Sequence, residues 1–233
     1  IEARLYAEDP ANDFLPSVGP LNILSMPTRH RIDTGVEQGG EVSIFYDPMI
    51  AKLITHGATR AGALRRMSAA LGDCQVAGTV TNLGFLGGLA AHAGFVAGDV
   101  DTGLIGRDID ALVVAPEPTV QERALAALGA LCLLETEGGE IGFTLWAPMN
   151  RRVELQWGDD VFEAVVRAKG PDAHDVVIDG VTVEARRVGG RWTLDGQRAP
   201  KVAVAGDLVT VFAQYGLGFN VVDPLARAIG RTG

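Results

Sequence analysis

Residues 42–54 read Val-Ser-Ile-Phe-Tyr-Asp-Pro-Met-Ile-Ala-Lys-Leu-Ile, and this stretch decides how the first half of the chain folds. Two extended runs, Val42 to Tyr46 and Met49 to Thr55, flank Asp47-Pro48. Proline cannot donate to a sheet ladder and biases its predecessor away from helix, so the pair separates two strands. Upstream, Ile1 to Ala7 sets Ala3, Leu5 and Ala7 against Glu2, Arg4 and Tyr6, the period of a half-buried strand. Pro10, Pro16 and Pro20 then mark an irregular loop. Downstream, Leu64, Met67 and Leu71 recur at helical spacing between Thr59 and Leu71, with Arg60, Arg65 and Arg66 off that line and Gly72 available as a C-cap. Thr81 or Asn82 caps a second helix carrying Leu83, Leu86 and Leu89, although Gly84, Gly87 and Gly88 lower its propensity.

The second half has a different pattern. Residues 109–118, ending Ala-Pro-Glu-Pro, predict a linker between a domain at 1–108 and another at 119–233. Thr119-Val120-Gln121-Glu122 is a capping box that opens a helix to about Glu135. Ala124 to Leu134 carries no charge on any face, and a helix apolar all round must be enclosed. Short alternating segments follow: Phe143–Trp146, Arg152–Trp157, Val161–Arg167, Asp175–Ile178, Val181–Arg186, Arg191–Leu194, Lys201–Val204, Leu208–Phe212 and Phe219–Val222. Asp179-Gly180 suits the positive φ angles of a type I′ hairpin, and Gly189-Gly190 and Asp195-Gly196 repeat the signal. The expected architecture is α+β: a small mixed-sheet subdomain with helices, followed by an antiparallel β-barrel around a central helix.

Composition narrows the function classes. A net charge of -9 repels a phosphate backbone, and no positive block offsets it, so nucleic-acid and anionic-membrane binding are not expected. Glycines and polar residues interrupt the uncharged stretch from Cys74 to Phe95, so no transmembrane segment is predicted, and the opening Ile-Glu-Ala-Arg is not a signal peptide. Cys74 and Cys132 stand apart from one another and from His30, His56, His92 and His174. That spacing predicts neither a disulfide framework nor a metal site, and fits a reduced cytoplasmic setting. Gly216-Leu217-Gly218 lacks the third glycine of a dinucleotide fingerprint. No Walker lysine, nucleophile elbow or Cys/His nucleophile pair occurs.

The order Arg-Ile-Asp-Thr-Gly-Val at 31–36, a Gly-Gly turn, then Phe-Tyr-Asp-Pro-Met-Ile-Ala-Lys-Leu-Ile at 45–54 resembles the closing segment of biotin carboxylases. Ala-Glu-Asp-Pro at 7–10, Phe-Leu-Pro-Ser at 14–17 and Asp-Val-Asp-Thr-Gly-Leu-Ile at 99–105 extend the resemblance through residue 108. Residues 117–233 look like the domain that, in α subunits of propionyl-CoA and methylcrotonoyl-CoA carboxylases, links the carboxylase to the biotin carrier and docks on the carboxyltransferase β subunit. The resemblance implies a fragment of such a ligase, in which ATP, Mg and bicarbonate serve the carboxylation of biotin. It also implies that biotin, ATP and Mg are held mainly by domains this chain lacks. The family's nucleotide-grasping domain and its Ala-Met-Lys-Met biotinylation motif do not occur, so no biotinylated lysine is assigned and the fragment alone is expected to be inactive.

Within that resemblance Arg31 matches the arginine that faces the ureido oxygen of biotin. A permanently charged planar guanidinium suits the enolate-like anion that develops there. By composition alone, Arg29-His30-Arg31 reads as a solvated edge. His56 and Arg60 fall where the family places a homodimer contact between carboxylase domains; otherwise they read as an exposed loop and a helix start. Asp47 and Lys52, five apart on extended chain, point to opposite faces and are given structural roles. Trp146, Trp157 and Trp192 are expected to pack the second core. An alternative function for the isolated chain is a non-catalytic interaction module that binds the β subunit, and a further one is an unrelated β-rich binding protein.

Overall fold

Alternation of apolar and polar residues sets the first sheet. In β1 (Glu2–Tyr6) Ala3 and Leu5 are buried while Glu2 and Arg4 face solvent. β1 and β2 (Arg31–Thr34) flank β3 (Met49–Ile54), and both pairings are antiparallel. β3 buries Ile50, Ala51 and Leu53. Asp47 accepts a hydrogen bond from the Met49 N–H at 3.0 Å and so shapes the entry to this central strand. The computed structural model describes residues 1–43, 47–114, 116–135 and 150–223. The strand expected over Val42–Tyr46 therefore falls partly outside the described residues, which show Glu41–Val42 extended.

Helix α1 (Arg60–Asp73) starts where Thr59 Oγ1 accepts the Gly62 N–H at 3.1 Å. It buries Ala63, Leu64, Met67, Ala70 and Leu71 and packs on β3 and on α2 (Leu83–Ala91). Gly72 is not the C-cap that its position suggests. The helix runs one residue past it and ends at Cys74, whose backbone is extended and whose N–H reaches the Leu71 carbonyl. Asn82 stands at the N-cap of α2 but makes no side-chain cap bond. Its amide instead accepts from the Tyr6 N–H at 2.9 Å and donates to the Arg4 carbonyl at 3.2 Å, tying α2 to β1. Two helices were not anticipated, α3 (Ala93–Ala97) and α4 (Leu104–Leu112). α4 occupies positions 109–112 of the segment expected to be linker, because Leu104 and Leu112 lie two turns apart and both are buried.

The chain divides into two compact units, Ile1–Pro116 with Gln214–Gly216 and Glu117–Ala213 with Leu217–Gly233. The second opens with α5 (Val120–Ala130) behind the predicted capping box, in which Thr119 Oγ1 accepts the Glu122 N–H at 3.3 Å and Glu122 Oε2 accepts the Thr119 N–H at 2.7 Å. α5 stops at Ala130 rather than near Glu135. Cys132 turns into the left-handed region at φ 54°, and the Leu133 N–H closes back on the Leu128 carbonyl.

The strands that follow are β4 (Asn150–Trp157), β5 (Asp160–Gly170), β6 (Ala173–Ile178), β7 (Val181–Val188), β8 (Arg191–Leu194), β9 (Gln197–Arg198), β10 (Val202–Ala205), β11 (Leu208–Val211) and β12 (Leu217–Val222). Among the described residues they form one antiparallel sheet in the order β9-β8-β7-β6-β5-β4-β12-β11-β10. The three predicted turns have both central residues at positive φ: 49° and 78° at Asp179-Gly180, 58° and 76° at Gly189-Gly190, 47° and 80° at Asp195-Gly196. The strand expected at Phe143–Trp146, and Trp146 with it, lies outside the described residues. Trp157 and Trp192 do pack against the second core, each partly buried.

The sheet is curled. Its two edge strands, β9 and β10, are separated in sequence only by residues 199–201. Four Cα steps span at most about 14 Å, so the edges are held near each other. Ala124, Leu125, Ala126, Ala127 and Leu128 of α5 are all buried, and the helix contacts β4, β5, β6, β7, β10 and β11. Five successive buried positions mean that the apolar surroundings reach every side of that helix turn.

Candidate functional site

The outer face of the first sheet carries the site. Register places Arg31 and Glu2 on either side of Ile54, and Asp33 and Arg4 on either side of Lys52. Residues two apart on a strand share a face, so Arg31 and Asp33 stand together on β2, and Glu2 and Arg4 on β1. Arg31 Nε donates to Asp33 Oδ1 at 3.1 Å and Nη2 donates to Oδ2 at 2.9 Å. Arg4 Nε donates to Glu2 Oε1 at 3.0 Å. The Thr34 hydroxyl donates to the Ile50 carbonyl at 2.8 Å, which pins the end of β2 to β3.

The Arg31 side chain is 73% exposed, as the composition-based reading of Arg29-His30-Arg31 as a solvated edge expects. Its pairing with a carboxylate of its own strand was not foreseen. Arg31-x-Asp33 at strand spacing was the available signal, since a two-residue step brings both side chains to one face. Asp33 holds the Arg31 guanidinium above its ordinary pKa, first through the hydrogen bond and then through its charge. In turn the Arg31 hydrogen bond, its charge and that of Lys52 hold the Asp33 carboxyl below the usual range. Arg31 Nη1 makes no hydrogen bond to protein among the described residues, so the end-on edge of the fork remains open to an incoming acceptor.

His56 and Arg60 flank the start of α1, and both are exposed. The His56 carbonyl accepts a hydrogen bond from Arg66. Arg60 is engaged within its own unit: Nε and Nη2 both donate to the Phe95 carbonyl, and the guanidinium lies 4.8 Å from the Phe95 ring centroid. A structural role for Arg60, fastening α3 to α1, accounts for these contacts. Nearby, His92 Nδ1 accepts the Phe95 N–H at 3.4 Å while Nε2 sits 3.2 Å from Asp108 Oδ2, which joins α3 to α4. Asp47 and Lys52 are not brought together: Asp47 is used by the turn, and Lys52 stands in the charged row with Asp33 and Arg4.

Among the described residues no cluster of three or more His, Cys, Asp or Glu side chains could hold a metal ion. The donor set at Arg31, by contrast, suits a neutral carbonyl-type oxygen that gains negative charge, because a guanidinium offers several N–H groups in one plane.

Residues 2–107 match the family model described as the biotin carboxylase C-terminal domain. The homologues are α subunits of acyl-CoA carboxylases. The chain is 44% identical over 137 residues to the methylcrotonoyl-CoA carboxylase subunit alpha of Dictyostelium discoideum, covering 58% of this chain and 20% of that protein. It is 32% identical over 254 aligned positions to the propionyl-CoA carboxylase alpha chain of Ruegeria pomeroyi, covering 95% of this chain and 36% of that protein. A solved biotin carboxylase subunit of pyruvate carboxylase aligns at 32% identity and TM-score 0.48, over 50% of this chain and 26% of that one. The chain thus spans between a fifth and somewhat over a third of the two curated relatives' own length.

Proposed function

We propose that this chain is part of the α subunit of a biotin-dependent acyl-CoA carboxylase, and that Arg31 serves the ATP- and bicarbonate-dependent carboxylation of biotin in the complete protein. The observation that carries the assignment is the exposed, oriented guanidinium of Arg31 on a strand inside the family-matched region. Its chemistry follows from charge and shape. Biotin, when bound, supplies the nitrogen that accepts the carboxyl group. Arg31 then offers planar N–H donors and a fixed positive charge at the ureido oxygen, where negative charge grows. Such preorganised donors act most strongly where water is excluded. ATP, Mg and the biotinyl group are held mainly by other parts of the complete protein.

Residues 119–233 are the proposed docking domain for a carboxyltransferase β subunit, with the curled sheet closing around α5 as a barrel around a central helix. Three observations support this reading: burial of α5 at successive positions, the short link between the two edge strands, and an alignment with a propionyl-CoA carboxylase alpha chain that extends through nearly the whole chain. Residues 1–112, through the end of α4, are the proposed closing subdomain of the carboxylase, joined through 113–118. The loop and helix start at His56 and Arg60 are the proposed contact with a second carboxylase domain.

The decisive experiment is Arg31→Ala in the complete α subunit, assayed with free biotin. A loss of about 10²- to 10³-fold in kcat is expected for removal of one such donor group. Turnover close to that of the unsubstituted protein refutes the role. For docking, the chain co-purifies with its β subunit at micromolar concentration, and failure to form a complex removes that assignment.

A further inference from the structure

We infer that Asp33 is a positioning residue for the carboxylation reaction, acting through Arg31; this rests on the reading of Arg31 above. An arginine head carries five N–H groups, one on Nε and two on each terminal nitrogen. Asp33 takes the side edge, Nε at 3.1 Å and Nη2 at 2.9 Å. That leaves both N–H groups of Nη1 and the second of Nη2, and one from each nitrogen forms a coplanar pair at the end of the fork. A carboxylate on the end edge would have competed with any incoming oxygen. On the side edge it fixes the plane and direction of the edge that is left.

The need for such fixing comes from exposure. The Arg31 side chain is 73% exposed. A long flexible cation in water samples many directions, and the entropy of holding it must be met by a specific partner. Asp33 is well placed to be that partner, because it is itself held. It lies two residues along the same strand, Thr34 beside it is tied to the Ile50 carbonyl, and its cross-strand neighbour on the shared face is Lys52. After Arg31, Lys52 adds a smaller positive-charge contribution that helps to hold the Asp33 carboxyl below its usual range. The short aspartate stem matters, since one more methylene would move the carboxylate along the strand face and turn the fork.

The assignment extends to a graded set of variants. Asp33→Ala frees the guanidinium without removing it, and misplacement by about 1 Å can cost on the order of 10²-fold in rate. A tenfold or greater fall in kcat is expected, with KM for free biotin changed much less, because the loss is of transition-state orientation rather than of binding. Asp33→Asn keeps the size but loses the charge-assisted pair and falls between Ala and Asp. Asp33→Glu restores the charge with the wrong reach and recovers only part of the rate.

The test is a double-mutant cycle in the complete α subunit: Arg31→Ala, Asp33→Ala and the pair, each assayed for kcat and KM with free biotin and each checked for an unchanged melting temperature. Both positions are on the exposed face of β2, and Asp33→Asn serves if the alanine variant does not fold. The expected result is that Asp33→Ala costs nothing further once Arg31 is alanine. Losses that multiply in the pair, or an Asp33→Ala enzyme with unaltered kcat beside a crippled Arg31→Ala enzyme, overturn the positioning role alone. Unaltered kcat in Arg31→Ala overturns the reading of Arg31 itself, so the two failures are told apart.

Discussion

The first unit keeps its chemistry on the outer face of a three-stranded sheet, in charges that stabilise the fold little; the second keeps its character in a nearly uncharged helix packed against a curled sheet. Arg31, Asp33, Lys52, Arg4 and Glu2 form rows open to solvent. Ala124 to Leu128 are buried in one cluster with Leu155, Phe162, Val176, Val183, Val209 and Phe219 among others. The difference separates two kinds of residue: those that can change without unfolding the protein and those that cannot. Substitution should therefore sort the units by phenotype, activity in the one and stability in the other.

The sharpest break would come from Leu128, which is fully buried in the second core. Leu128→Ala removes a large side chain from an interior that cannot collapse evenly onto a helix, and a loss of about 2–5 kcal/mol is expected in denaturant unfolding of the second unit. A loss under about 1 kcal/mol would mean that the helix is loosely held and the contrast between the units is false.

Gly129 tests the closeness of the same packing. A Cβ there would lie 2.8 Å from Val202 Cγ1 and 3.2 Å from Val209 Cγ1, and both neighbours are β-branched and stiff. Helix propensity alone favours Gly129→Ala by up to about 1 kcal/mol. Overpacking costs about 1–3 kcal/mol and should win, so net destabilisation by thermal melting is expected. Net stabilisation would show that β10 gives way easily. Thr119→Ala, which removes half of the capping box, should cost about 1 kcal/mol by the same measurement.

How much of this could be read in advance differed by region for physical reasons. The capping box, the uncharged helix and the three hairpins were legible because each depends on a few adjacent residues with strong local preferences. The ends of α1 and α5 were not, because Gly72 is merely tolerated in a helix that continues, and Cys132 adopts a left-handed backbone that its residue type does not advertise. α4 was missed because Pro116 and Pro118 drew the linker too far upstream over Leu112, the second of the spaced pair Leu104 and Leu112. At the candidate site, Arg31 was singled out through its resemblance, while Asp33, two residues along the same strand, was passed over. Asn82 looked like a cap, but its amide is spent on β1, a tertiary contact that no local pattern encodes.

The smallest predicted effect joins stability to pH within the second unit. His174 points inward on β6, is fully buried and stacks on Trp192 with ring centroids 5.2 Å apart. Neither ring nitrogen completes a hydrogen bond among the described residues. Burial pushes its pKa below the ordinary imidazole value, outweighing the nearby Leu133 backbone, which favours the charged form, and Arg151, Arg186 and Arg187 add repulsion. In the unfolded chain the ring titrates near its ordinary value of about 6.5. As pH falls below that, the unfolded state takes up a proton that the folded state resists, so stability declines with falling pH until the lower folded value is passed. His174→Phe fills a similar flat space and carries no proton. It should abolish that part of the decline below about pH 6.5 in urea titrations of the second unit, while Arg31→Ala leaves the same curve unchanged. A decline that survives in His174→Phe would assign the acid sensitivity to other groups, and one that appears only with Arg31→Ala would show that the exposed sheet, not the enclosed helix, limits the fold.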